Sequence, residues 1–339
     1  MKICIFGVGA IGGFIGTRLA ATGRCSVSAV ARGRTLRALQ EHGWRLRQAG
    51  ALVRCPATAT DDARALGPQD VVIIAVKGPA MPEVAASIKP LLGRDTVVVP
   101  AMNGVPWWFA HDVPALGSAP LESVDPRGRI SAAIPFANVV GCVVHVSATS
   151  PEPGLSEHKT GLGLIVGETN GGESSRTWDL ALLLTYAGLE ATVSPNIRRD
   201  IWYKLWGNLT MNPVSALTGA TIDRMLDDPL VREFCAGAMR EAAEIGARIG
   251  CLMGQTPDDR LKVTSRHGRF KSSMLQDVEA GRPLEIDAIV GAVKEIGERL
   301  RVPTPHIDSL LGLVRLFART RGLYPESVPT ASNGASRGG

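Results

Sequence analysis

The sequence contains no apolar run that approaches the ~20 residues of a transmembrane helix, so we expect no membrane span. The first apolar segment starts at Lys2, which leaves no room for a signal peptide, and we therefore expect a cytoplasmic protein. None of the six cysteines stands in a CxxC or Cys/His spacing. We expect reduced thiols in the core, with neither a disulfide framework nor a metal site.

A strong excess of one charge is also absent: charged residues make up an ordinary 20% of the 339 residues, and the net charge is +5. Because the lysines and arginines are spread along the chain, we expect no nucleic-acid partner. The modest net positive charge is equally compatible with binding of an anionic small molecule. The hydrophobic fraction of 45% is ordinary, and the length suffices for two domains with separate cores.

The most informative segment that is present runs from Lys2 to Leu19 and reads KICIFGVGAIGGFIGTRL. It predicts a strand, a tight turn and a helix, which is the context that a dinucleotide-binding glycine motif requires. The glycines would permit the turn, the approach of a pyrophosphate and close helix packing, and the helix N-terminus would offer N–H groups to the phosphates. The predicted cofactor-binding residues are Gly7, Val8, Gly9, Ala10, Ile11 and Gly12. An ordinary strand-to-helix turn is the alternative.

A further absence concerns the choice of dinucleotide. Proteins that prefer NAD usually end the second strand with an acidic residue that binds the ribose, but here Val27–Val30 is followed by Ala31, Arg32, Gly33 and Arg34. Guanidinium groups form forked, charge-assisted hydrogen bonds with phosphate, so we predict NADP, with Arg32 as the stronger candidate. A pair of solvated loop arginines is the alternative, and a contribution of Arg34 stays open.

Strand and helix patterns alternate in the first half of the chain, and helical periodicity continues from Ile197 onward. Buried strands are predicted at 71–76, 96–102, 139–147 and 162–167, a hairpin around Gly50, helices at 35–42, 81–92 and 174–187, and a loop at 118–135. Asp228 and Pro229 predict a helix start. The fold class is therefore α/β: an N-terminal Rossmann-type, doubly wound, mostly parallel sheet at 1–194, a C-terminal all-α domain at 195–326 and a flexible tail at 327–339.

Polar residues recur at helical spacing in the segment after Ile197. Lys204, Asn208 and Asn212 fall on one helix face among apolar neighbours, where unpaired polar groups would be costly. A bound ligand is one possible partner, and a capping or interdomain cluster is the other. Glu285 and Asp287 precede an apolar helix, so they could be no more than acids of a first helical turn.

Together these segments resemble the ketopantoate reductase family. The resemblance rests on GVGAIGG, Ala75-Val76-Lys77, Asn103-Gly104-Val105, the helix with Lys204, Asn208 and Asn212, and SSMLQDVEAGRPLEID, and it spans about residues 1–319. It implies catalytic Lys204 and Glu285. It further implies cofactor contacts at Arg32, Lys77, Asn103, Ser147 and Glu285, and substrate contacts at Asn103, Lys204, Asn208, Asn212 and Ser273.

The family activity that this implies is the reduction of 2-dehydropantoate (ketopantoate) by NADPH to pantoate, on the route to pantothenate and coenzyme A. Lys204 would polarise the carbonyl group and donate the proton. A β-hydroxyacid dehydrogenase also joins a nucleotide domain to helices, but SSMLQDVEAGRP has no place there. A homodimer is possible, and the apolar helix faces around Ile296 and Leu310 could pack within the chain or against a second copy.

Two departures keep other substrates open. Ile222 stands where the family often has a substrate-binding asparagine, and the segment 107–135 is long and rich in Trp and Pro, so it could reshape the entrance. These departures motivate an NADPH-dependent reductase of another branched or aromatic 2-oxo acid. A non-catalytic NADPH-binding sensor is a further alternative, although a sensor has no need of a lysine proton donor.

Overall fold

The computed structural model describes residues 1–265 and 268–325; the predicted tail at 327–339 lies outside them. The strands are β1 (Lys2–Phe6), β2 (Ser26–Val30), β3 (Trp44–Gln48), β4 (Ala51–Cys55), β5 (Thr58–Thr60), β6 (Gln69–Ile74), β7 (Leu92–Pro100), β8 (Val140–Glu152), β9 (Leu155–Glu168) and β10 (Glu190–Val193).

Helices follow the strands in the first half and make up the second half. They are α1 (Ala10–Ala21), α2 (Gly33–His42), α3 (Met81–Ser87), α4 (Arg129–Ala133), α5 (Ser175–Tyr186), α6 (Ile197–Thr218), α7 (Ile222–Asp227), α8 (Pro229–Arg248), α9 (Pro257–Ser265), α10 (Ser273–Glu279), α11 (Ala292–Leu300) and α12 (Pro305–Arg319). Within the described residues, no helix is both long and apolar enough to cross a bilayer.

The first sheet has the strand order β5-β2-β1-β6-β7, and all its neighbouring strands are parallel. Its middle strands are buried and rich in Val and Ile, as expected where helices cover both faces. The order reverses between β1 and β6, and in such sheets ligands bind beyond the carboxyl ends of the strands at this point. The α/β class that we predicted is therefore confirmed.

The predictions missed a second sheet, which has the order β10-β9-β3-β4, with β8 paired to β9. The predicted hairpin around Gly50 forms as β3 and β4. However, β3 also pairs in parallel with β9, whose residues lie more than 100 positions further along the chain. β8 and β9 are a long antiparallel hairpin and extend well beyond the predicted segments.

Two local predictions need correction. The helix predicted at 81–92 ends at Ser87, and Lys89–Leu91 forms a 3-10 turn around Pro90, which has no N–H to continue the helix. The predicted loop at 118–135 contains α4, and Asp125 accepts hydrogen bonds from the backbone N–H groups of Ile130 and Ser131 there.

In the second half, α6 is oriented by two tryptophans one turn apart. The indole N–H of Trp202 donates to the carbonyl oxygen of Ala242 at 3.1 Å, and that of Trp206 donates to Met239 at 2.6 Å, both on α8. Because residues four apart share a helix face, Lys204 between them points the other way, toward β8. The carboxylate of Asp228 caps α8 as predicted, accepting from two first-turn N–H groups.

Ile296 and Leu310 are fully buried, so these helix faces pack within the chain. All six cysteines lie in the described residues and are free thiols. In the same residues, no group of His, Cys, Asp and Glu is arranged to hold a metal ion.

Candidate active site

The register of the first sheet sets two polar side chains side by side. Phe6 pairs with Ile74, and Ile74 pairs with Pro100, so β1, β6 and β7 end in one row. Lys77 and Asn103 each follow three residues after that row. The chain therefore presents both side chains at the same edge of the sheet, next to the glycine loop.

The glycine loop has the geometry that its motif predicts. Gly7 has a φ of +93°, and a Cβ atom there would lie 2.4 Å from Cγ1 of Val76. A Cβ atom on Gly12 would lie 2.0 Å from the carbonyl oxygen of Gly7, so only glycine allows α1 to pack this closely. In contrast, a Cβ atom on Gly9 would meet no atom within 4 Å. This open space is where a pyrophosphate could approach the backbone.

The start of α1 fits an anion. Its N-cap residue is Gly9, and no side chain caps this end of the helix. The first-turn N–H groups and the positive end of the helix dipole are therefore available to phosphate oxygens. Together with the space at Gly9, these features fit the diphosphate of a dinucleotide.

Arg32 follows β2 at the rim of this loop. It is the N-cap residue of α2, and its side chain is 68% exposed. The guanidinium pairs with the carboxylate of Glu83 on α3 at 2.5 Å. Arg34 is the second residue of α2 and is also exposed. Both arginines are thus accessible to a phosphate that approaches from solvent.

Lys204 is the cation at the centre of the site. Its Nζ atom donates to Oδ1 of Asn103 at 2.8 Å and to the carbonyl oxygen of Val144, in β8, at 2.5 Å. Burial lowers the pKa of Lys204 to about 8, while the nearby Glu285 acts in the opposite direction. The ammonium group is therefore a stronger acid than an exposed lysine, and one of its three protons has no acceptor among the residues that the structure describes.

Glu285 lies next to Asn103 and comes just before a π-helical turn at Asp287–Gly291. Its Oε1 atom accepts the backbone N–H of Gly78 at 3.2 Å. Burial raises the pKa of Glu285, and the hydrogen bonds from Gly78 and from the Asn103 side chain partly counter this. Asn103 thus bridges the two ionisable groups: it accepts from Lys204 and donates to Glu285.

The other predicted substrate residues line the same side of α6. Nδ2 of the buried Asn212 lies 3.4 Å from Oγ of Ser273 on α10. The neighbouring Ser272 is occupied as the N-cap of α10, where it accepts from Leu275, but Ser273 is exposed. Asn208 is half-buried, and none of the described residues accepts from or donates to its side chain. Ser273 and Asn208 therefore have free hydrogen-bonding capacity.

Lys77 forms an ion pair with Asp277 of α10, and Nε of Arg282 donates to the same carboxylate at 2.9 Å. The Asp277 side chain is nearly buried, so its charge is compensated by these two cations. This contact joins the loop after β6 to the helical half of the chain, directly beside Glu285.

A cavity of about 290 Å³ adjoins Asn103 and Glu285. Its walls are mostly apolar and include Trp107 and Trp108. Both tryptophans are buried, so this part of the segment 107–135 borders the cavity.

Two residues named from the sequence stand apart from this cluster. Ser147 is exposed on β8, three residues beyond Val144, and makes no side-chain hydrogen bond to the cluster. Ile222 is the first residue of α7 and is fully buried in the apolar core.

The sequence analysis missed three groups that belong to the cluster: the carbonyl of Val144, the N–H of Gly78 and the carboxylate of Asp277. The first two are backbone groups, for which the residue type carries no signal. Asp277 lies inside the segment that we singled out, and its position one helical turn after Ser273 was the available signal.

Comparison with known proteins shows what this chain is similar to. Residues 3–171 match the family model described as "Ketopantoate reductase PanE/ApbA", and residues 196–318 match "Ketopantoate reductase PanE/ApbA C terminal". The 2-dehydropantoate 2-reductase of Mesorhizobium japonicum is 44% identical over 325 residues, which cover 96% of this chain and 100% of that protein.

Solved structures also match this chain over nearly its whole length. A crystal structure from Ralstonia solanacearum is 56% identical, with a TM-score of 0.92, and the match covers 95% of this chain and 99% of that one. The 2-dehydropantoate 2-reductase of Methylococcus capsulatus is 27% identical, with a TM-score of 0.80, and the match covers 97% and 99% of the two chains.

The contrast between Gly9 and Gly12 yields a prediction. Gly12→Ala should lower the free energy of unfolding by about 1–3 kcal/mol, because its Cβ atom overlaps a backbone oxygen. Gly9→Ala should change stability by only about 0.5 kcal/mol but weaken dinucleotide binding roughly tenfold or more, since its Cβ atom fills the open space. Urea unfolding and fluorescence titration with NADPH measure the two effects.

Gly312→Ala is the control for this pair. Gly312 lies on α12, far along the chain from the loop, and a Cβ atom there also meets nothing within 4 Å. The control should bind NADPH as the parent protein does. Normal NADPH binding by Gly9→Ala would show that the open space at this loop does not receive the cofactor.

Proposed function

The chain belongs to the ketopantoate reductase family of oxidoreductases, and on that premise we propose that it reduces 2-dehydropantoate to pantoate with NADPH. The observation that carries the proposal is the Lys204 ammonium, which is held by Asn103 and Val144 with one proton left for a ligand. This step would lie on the route to pantothenate and coenzyme A.

In this proposal Lys204 and Glu285 are the catalytic residues. The ammonium group binds the oxygen of the substrate's 2-oxo group, polarises the carbonyl and transfers a proton from Nζ to that oxygen as it becomes a hydroxyl. When bound, a nicotinamide cofactor would supply the hydride for the carbonyl carbon. Lys204 is left as a neutral amine and regains its proton from solvent. Asn103 fixes the position of Nζ, and Glu285 fixes the position of Asn103.

The remaining polar groups would hold the two ends of the substrate. Ser273 is a donor for the substrate carboxylate, supported by its contact with Asn212. Asn208, which has no partner among the described residues, offers a neutral hydrogen bond to a hydroxyl group. Neutral donors suit this role because they leave the charge of Lys204 as the main electrostatic influence on the carbonyl oxygen.

We propose NADPH as the cofactor, with its diphosphate at residues 7–12 and its 2′-phosphate at Arg32. Lys77 and Asn103 would lie near the nicotinamide end. We also propose that the cofactor-binding unit ends near Ser194, because β10 ends at Val193 and α6 begins at Ile197. The site would then be shared between the two units.

A second candidate function is the reduction of a bulkier branched or aromatic 2-oxo acid. It is supported by the apolar cavity beside Asn103, in whose wall Trp107 and Trp108 lie.

The role of Lys204 can be tested by substitution and by pH. Lys204→Met should lower kcat by about 10²–10⁴-fold, because it removes the proton donor and keeps most of the side-chain volume. In the parent enzyme, kcat should fall as the pH rises through about 8, since only the protonated lysine can donate. Steady-state oxidation of NADPH between neutral and alkaline pH measures both effects.

Lys294→Met is a matched control, because Lys294 pairs with Glu298 on the surface of α11. It should leave both kcat and the pH profile unchanged. Near-normal turnover by Lys204→Met would contradict the proposed mechanism.

The cofactor assignment predicts a selective effect at Arg32. Arg32→Ala should raise the KM for NADPH by roughly 10–100-fold, the equivalent of about 1.5–3 kcal/mol for hydrogen bonds to a charged group, and leave the KM for NADH nearly unchanged. Arg34→Ala, assayed in parallel, decides whether the second arginine shares this contact. Arg37→Ala, one turn further along α2, serves as the control. An equal loss for both cofactors would contradict a 2′-phosphate site at Arg32.

The substrate is tested by assaying the purified protein with 2-dehydropantoate and with a set of branched and aromatic 2-oxo acids. We expect the highest kcat/KM for 2-dehydropantoate. A clear preference for an aromatic or larger branched acid would favour the second candidate. NADPH binding without turnover of any 2-oxo acid would overturn both.

A further inference from the structure

Helix α1 lies against the second sheet through two glycines that are about one helical turn apart. A Cβ atom on Gly16 would lie 2.4 Å from Cζ3 of Trp44 on β3. A Cβ atom on Gly13 would lie 2.2 Å from Oγ of Ser156 on β9. Both positions must therefore be glycine for the helix to meet these two side chains as it does. The second sheet thus contacts α1 within its first two turns, next to the glycine loop.

The contact at Gly13 includes a hydrogen bond to the loop itself. Ser156 is only 2% exposed, and its strand pairs it with Leu46 of β3. Its hydroxyl donates to the carbonyl oxygen of Gly9, the N-cap residue of α1, at 3.3 Å. Among the residues that the structure describes, this carbonyl is the only partner of the Ser156 side chain. The buried hydroxyl is therefore satisfied by the backbone of the glycine loop.

The carbonyl oxygen of Gly9 thus accepts two hydrogen bonds, because the backbone N–H of Gly13 also donates to it at 2.9 Å. In a trans peptide group the C=O and N–H bonds point in opposite directions. The other end of this peptide group is the N–H of Ala10, which points away from the body of the helix. It is one of the N–H groups that a helix leaves unpaired at its start.

We propose that Ser156 is a positioning residue for dinucleotide binding. By holding the carbonyl oxygen of Gly9, it fixes the peptide group whose N–H, that of Ala10, donates to the diphosphate. Glycine restricts its backbone less than any other residue, so this peptide group needs an external hold. The hydrogen bond also polarises the peptide group, which makes the N–H a better donor to an anion.

This inference rests on the cofactor site proposed above at residues 7–12. It adds to that site a side chain from a strand 147 positions further along the chain. It also gives the second sheet a role in cofactor binding, although that sheet contributes no residue to the glycine motif.

Ser156→Ala tests the proposal. It should raise the dissociation constants of NADPH and NADH alike, by roughly three- to tenfold, because one hydrogen bond is lost and both cofactors carry the diphosphate. The kcat at saturating NADPH should not fall, since Ser156 contacts neither Lys204 nor Asn103. Fluorescence titration and steady-state kinetics measure these effects, and thermal melting checks that the variant is folded.

Ser150→Ala is the matched control. Ser150 lies on β8, and its hydroxyl donates to the carbonyl oxygens of Glu152 and Leu155 within the same hairpin. This substitution also removes hydrogen bonds from a serine to the backbone, but at a distance from the glycine loop. The control should bind both cofactors as the parent protein does.

A ligand without a diphosphate separates positioning from general damage to the site. Adenosine 2′-monophosphate should inhibit the parent protein and Ser156→Ala with the same inhibition constant against NADPH, because it makes no contact that Ser156 controls. A structural defect spread over the cofactor site would weaken this ligand as well.

Gly13→Ala provides an independent arm of the test. Its Cβ atom would displace the Ser156 hydroxyl, which must then rotate away from Gly9, so NADPH binding should weaken about as much as in Ser156→Ala. The double variant should bind no more weakly than either single variant, because both substitutions remove the same hydrogen bond.

Three results would overturn the proposal: unchanged NADPH affinity in folded Ser156→Ala, equal weakening of adenosine 2′-monophosphate, or losses that add in the double variant. A parent protein that binds neither NADPH nor NADH would instead remove the proposed cofactor site, and this inference with it.

Discussion

The site depends on keeping one ammonium group, that of Lys204, away from bulk water. The desolvation free energy of a buried cation is roughly several kcal/mol unless polar partners replace the water molecules around it. Here the partners come from separate places: Oδ1 of Asn103 after β7, and the carbonyl oxygen of Val144 in β8. The helix that carries the lysine must therefore lie against β8 and beside the loop after β7, and the tryptophan hydrogen bonds to α8 keep the lysine turned toward them. The position of one charge thus ties the two halves of the chain together.

Parallel strand register explains why the cofactor loop and the catalytic cluster are neighbours. β1, β6 and β7 end in one row, and the chain turns shortly after each of them, so the glycine loop, Lys77 and Asn103 share one edge. The helical half adds Asp277 and Glu285 to the same edge through the ion pair with Lys77 and the hydrogen bond from Gly78. The sheet therefore sets where the site lies, and the helical half contributes most of its ionisable groups.

Much of this could be predicted wherever a local pattern has a local physical cause. The glycine loop, the capped start of α8 and the polar face of α6 all follow from residues a few positions apart. The second sheet could not be predicted in the same way, since the pairing of β3 with β9 joins distant segments whose sequences show no mutual signal. The pairing of Arg32 with Glu83 is similarly non-local. Backbone partners such as the Val144 carbonyl leave no trace in residue type, so only the three-dimensional structure reveals them.

The place of Asn103 between Lys204 and Glu285 has an electrostatic consequence. A carboxylate in direct contact with the ammonium would raise the pKa of the lysine and make it a poorer acid at neutral pH. Because Asn103 is neutral, it can hydrogen-bond to both groups without placing a further charge beside the lysine. The Cys142 thiol next to Lys204 also stays neutral, since burial raises its pKa to about 12. Burial is thus left as the largest influence on Lys204, and it holds the pKa near 8, where the group is protonated at neutral pH yet able to release its proton.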